Sequence, residues 1–80
     1  MNTESALALF GRALHLVAPE ADLDRIDRAS PLQDEIDLDS MDFLNIVRAI
    51  HDDAGIDIPE HDYKYLTSVD GFVGYLAERL

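Results

Sequence analysis

At 80 residues and 48% apolar content, the chain has room for one domain with a small core and is too apolar for an acidic disordered tail. Its 17 Asp and Glu against 6 Lys and Arg give a formal net charge of −11, which argues against nucleic-acid binding and for basic protein partners. The absence of cysteine excludes disulfides, thiolate metal sites and a cysteine nucleophile, and suits a reducing, cytoplasmic setting. No apolar run approaches the roughly 20 residues of a membrane span, and an N-terminus with Glu4 and no early positive charge does not read as a secretory signal.

The first helix is expected to open at Asn2 or Thr3 as cap, with Glu4 at its positive end. Leu7, Phe10, Leu14 and Val17 recur at spacings of three and four, one apolar stripe. Pro19 marks the stop. From there to Asp39 no clean period holds. A single helical turn fits the Asp22–Asp27 region, Ser30-Pro31 reads as a turn, and Leu32, Ile36 and Leu38 are the apolar points of a long ordered loop. Loops this long in small domains usually carry function.

A second helix starts at Asp39-Ser40, either of which can cap it. Phe43, Ile46, Val47, Ile50 and Ala54 form its apolar face, and Gly55 its terminator. Met41, Leu44 and Arg48 form a second stripe, offset around the helix, so Met41 and Leu44 should be exposed although apolar. Ile56 and Ile58 look briefly like a strand that Pro59 cuts short. Glu60 to Leu66 then gives a turn or two, with Tyr63 and Leu66 facing inward. Thr67 and Asp70 resemble a capping box ahead of a last stripe of Val69, Phe72, Val73, Leu76 and Leu80. The expected fold is all-α: a small four-helix bundle of three main helices and one short one over residues 1–80, with a long loop between the first two.

Charge is uneven. No Lys or Arg lies between Arg28 and Arg48, an interval that holds Asp34, Glu35, Asp37, Asp39 and Asp42. Ser40 sits in that field at a loop–helix junction. A serine there is ordinarily a cap. The functional alternative is a hydroxyl that accepts a phosphate-linked group, beside free N–H groups and the positive end of the helix dipole.

Calcium binding through the aspartates fails on spacing. Counted from Asp37, the sixth position is Asp42 where the loop requires glycine; counted from Asp22, the fifth is Ile26. A serine hydrolase lacks its Gly-x-Ser-x-Gly elbow. His15, His51 and His61 have no zinc-site spacing and read as surface residues, so no metal is expected.

Asp39-Ser40-Met41-Asp42-Phe43 resembles the Asp-Ser-Leu centre of acyl carrier proteins. Leu32 matches the family's apolar loop anchor and Glu35-Ile36 its acidic–apolar pair. Gly55-Ile56-Asp57-Ile58-Pro59 looks like the Ile-Pro segment before its short helix, and Thr67-Ser68-Val69 like the start of its last helix. Met41 stands for the usual leucine, and Asp37 where glycine is common. The resemblance implies a carrier and not an enzyme. It implies 4'-phosphopantetheine joined to Ser40 by a phosphopantetheinyl transferase, and acyl groups held as thioesters on the arm. Its users would be enzymes of fatty-acid, polyketide or accessory lipid biosynthesis with basic docking patches. It further implies partner recognition through Asp39, Met41, Asp42, Leu44 and Arg48, an acyl-chain interior near Phe43 and Ile46, and a monomer. The alternative is an unmodified acidic interaction module of the same shape.

Overall fold

A computed structural model describes residues 2–80. Four α-helices, α1 (Asn2–Val17), α2 (Leu32–Glu35), α3 (Ser40–Ala54) and α4 (Val69–Ala77), are joined by short 3-10 segments at Leu23–Arg25 and Glu60–Tyr65. Among the described residues there is no β-strand, and the all-α expectation holds. The chain fills 26 × 25 × 21 Å.

Helix α1 packs against both α3 and α4. Its buried face is therefore wider than a single stripe: Ala6, Leu9, Phe10, Ala13 and Leu14 are buried, while Leu7 and Val17 sit at the margin. Neither Asn2 nor Thr3 is its cap. Both lie inside the helix, and the Asn2 amide donates to the Ala77 and Leu80 carbonyls at the end of α4, 3.3 Å each. At the centre, Phe10 meets Phe72 with ring centroids 4.8 Å apart.

The connection from α1 to α3 is ordered by polar turns and backbone staples. Asp22 caps the first 3-10 turn by accepting from the Asp24 N–H at 3.0 Å. Leu32 donates its N–H to the Thr67 carbonyl at 2.7 Å, and Asp70 donates to the Arg28 carbonyl at 2.9 Å, which fixes the connection to the start of α4. Ile26, Leu32 and Leu38 are buried, and Ile36 is half-buried. The short α2 occupies a stretch where the sequence predicts only loop. Its single turn has no room for a period.

Along α3, Ile46 and Ile50 are fully buried and Phe43 and Val47 half-buried. Ala54, expected on the apolar face, is exposed: Gly55, at φ 70°, ends the helix there, and burial passes to Ile56 and Ile58 beyond it. Only glycine takes that backbone angle without strain. At α4 the cap is Ser68 and not Thr67, since the Ser68 side chain accepts from the Gly71 N–H at 3.0 Å. Thr67 instead spends its carbonyl on Leu32. Leu80 lies beyond α4 and is exposed.

Candidate functional site

Asp39 is the residue that turns the loop into α3. With extended backbone (φ −95°, ψ −178°), it accepts the Asp42 N–H on Oδ1 at 2.9 Å, and Asp42 accepts the Asp39 N–H at 3.5 Å. This reciprocal capping box occupies two of the donors that a helix start leaves open. Ser40 is thereby relieved of capping. It sits at the first helical position, solvent-exposed, and the N–H groups of Ser40 and Met41 have no carbonyl one turn back to bind.

An exposed hydroxyl beside free N–H groups at the positive end of a 15-residue helix fits a phosphate ester. Asp39 and Asp42 are engaged with each other's backbone N–H groups, which leaves those of Ser40 and Met41 to face an added phosphate.

Ser40 also lies on the rim of a cleft of about 600 Å³. Its walls come from four segments: Leu32 from α2, Leu38 from the loop, Phe43 and Leu44 from α3, and Tyr63 and Leu66 from the 3-10 helix Glu60–Tyr65 and its end. Of the two residues expected in an acyl-chain interior, Phe43 lines this cleft. Ile46 is fully buried in the core behind it and is not part of the cleft lining. Leu32, Leu38, Tyr63 and Leu66 were legible as inward-facing residues, but their convergence on Ser40 was not.

On the outer surface of α3, Met41 is 66% exposed and Leu44, at the cleft edge, 46%, with Arg48 also exposed one turn on. The offset stripe is therefore an apolar surface patch beside Ser40, bordered by Asp39 and Asp42. Among the described residues no group of three or more His, Asp or Glu is placed to hold a metal ion, and no helix is long and apolar enough to cross a membrane.

The 3-10 helix that forms one cleft wall is tied to α4 by a polar clasp. The Tyr75 hydroxyl donates to Asp62 at 2.5 Å, and the Arg79 guanidinium lies 3.5 Å over the Tyr75 ring. Burial, and next the hydrogen bond to Asp62, push the Tyr75 phenol pKa up, with Arg79 opposing.

A family model described as the phosphopantetheine attachment site matches residues 6–76. The acyl carrier protein of Lactobacillus johnsonii is 34% identical over 55 residues, which cover 69% of each chain. No solved structure gives a significant match. The family match spans nearly all of the helical bundle, and the chain belongs to the acyl carrier family, proteins that carry phosphopantetheine and are not themselves enzymes.

Proposed function

We propose that Ser40 is the attachment residue and that the chain presents acyl groups, as thioesters on the arm, to enzymes of fatty-acid, polyketide or accessory lipid biosynthesis. The observation that carries this reading is the division of labour at the start of α3. Asp39 and Asp42 make the cap, so the adjacent exposed Ser40 hydroxyl is left for chemistry. In the transfer, Ser40 Oγ forms the new bond to phosphorus, its proton passes to the transferase, and adenosine 3',5'-bisphosphate leaves from coenzyme A. The arm supplies the thiol that this cysteine-free chain lacks.

The chain's own residues supply docking and shelter. Met41 and Leu44 offer apolar contact, Asp39 and Asp42 attract basic partner surfaces, and Arg48 favours an acidic group on the partner facing that turn. The cleft beside Ser40 takes part of the acyl chain. The protein works as a cytoplasmic monomer. Incubation with coenzyme A and a broad-specificity phosphopantetheinyl transferase, read by intact mass and fragment mapping, tests the assignment. One phosphopantetheine on Ser40 is expected. An unchanged mass would favour the unmodified interaction module, and modification elsewhere would displace Ser40.

A further inference from the structure

The inner wall of the cleft is aromatic. Phe43 lines the cleft from α3 and meets Tyr63 of the 3-10 helix edge-on, with centroids 5.1 Å apart and planes at 75°. Behind this pair, Phe43 lies 5.8 Å from Phe72, and Phe72 lies 4.8 Å from Phe10. The rings run from the half-buried wall to side chains wholly shielded from water. Phe43 is also only three residues past Ser40, about 4.5 Å along the helix axis.

A chain entering beside Ser40 therefore meets rings before it reaches the space between α1, α3 and α4. Protein interiors are close-packed, so passage beyond the rings requires Phe43 or Tyr63 to turn aside. Turning Phe43 would break its contacts with both Tyr63 and Phe72.

We propose that Phe43 and Tyr63 close the inner end of the cleft and set the length of acyl chain it shelters, so that the distal part of a long chain stays outside the bundle. This rests on the reading of Ser40 as the attachment residue. Phe43 and Tyr63 are on that basis specificity-determining residues for the cargo.

The test loads wild type, Phe43→Ala, Tyr63→Ala and the control Tyr65→Ala with a series of saturated acyl groups of increasing length. Intact mass checks loading, and denaturant unfolding gives the folding equilibrium constant at each length. Tyr65 is exposed and lies outside the cleft lining. In wild type and Tyr65→Ala, the constant should rise with the first methylenes and then level off. In the two cleft variants the rise should continue to longer chains, by about fourfold for each further methylene sheltered. Tyr63, half-buried on the 3-10 helix and not part of α3, carries the test if Phe43→Ala does not fold. A wild type that keeps gaining stability to the longest chain, or one that gains none at any length, would overturn the proposal. So would a Tyr63→Ala variant that levels off with wild type. A mass showing no arm on Ser40 would overturn the attachment reading, and the gate with it.

Discussion

Asp39 and Asp42 satisfy one another across the first turn of α3, the Asp39 carboxylate accepting the Asp42 N–H at 2.9 Å and the Asp42 carboxylate the Asp39 N–H at 3.5 Å. The serine between them is consequently in the helix without capping it, so the stability of α3 and the chemistry at Ser40 are separable.

Ser40→Ala should abolish gain of phosphopantetheine while changing stability by no more than about 0.5 kcal/mol, the range of an ordinary surface substitution. Asp39→Ala should cost about 1 kcal/mol through the lost cap. Denaturant unfolding of the two variants, beside intact mass after treatment with transferase, checks both halves. Equal destabilisation by the two substitutions would return the cap to Ser40.

Charge and capping at the same residues can be separated because asparagine also caps well. The Asp39→Asn, Asp42→Asn double variant should stay helical by circular dichroism yet receive the arm more slowly at low ionic strength. Its transfer rate should converge on wild type as salt rises, since exposed charges beyond a Debye length are screened. Lysines at both positions should slow transfer further and also weaken the helix start, by losing the cap and adding positive charge at the positive dipole end. An unchanged low-salt rate in the folded asparagine variant would refute electrostatic docking at this turn.

Two glycines of α4 should respond in opposite directions. A Cβ at Gly74 meets nothing within 4 Å, so Gly74→Ala should stabilise by about 0.5–1 kcal/mol through helix propensity. A Cβ at Gly71 would run into the Tyr65 carbonyl oxygen. Gly71→Ala should therefore destabilise by about 1–3 kcal/mol, as overpacking does. Thermal unfolding of the pair gives the two signs directly.

The clasp between Tyr75 and Asp62 predicts an alkaline loss of stability. Burial, with the hydrogen bond to Asp62 adding to it, sets the Tyr75 pKa above its unfolded value. Its contribution is therefore whole below the unfolded pKa of about 10 and is lost as pH climbs through the higher folded value. Tyr75→Phe should cost about 1 kcal/mol at neutral pH, and the gap to wild type should narrow above pH of about 10. Unfolding of both proteins across that range measures it; a gap that widens with pH would contradict the sign.

The positions of α1, α3 and α4, the Gly55 stop and the exposed Met41–Leu44 stripe were readable from the amino-acid order alone, and so was the Asp-Ser-Met-Asp centre. Capping and the helical period act between residues a turn or so apart, within reach of a local pattern. The choice among nearby candidates was decided only in the folded chain. Asp39 rather than Ser40 caps α3, and Ser68 rather than Thr67 caps α4, where the Thr67 carbonyl is committed to Leu32 across the bundle. Burial of Ala6, Leu9 and Ala13 follows from α1 having two helical neighbours, which no single stripe announces. The cleft is the clearest case. Leu32, Phe43 and Tyr63 each read as inward-facing, but only the packing of three separate segments brings them around Ser40 and sets the two rings edge to face.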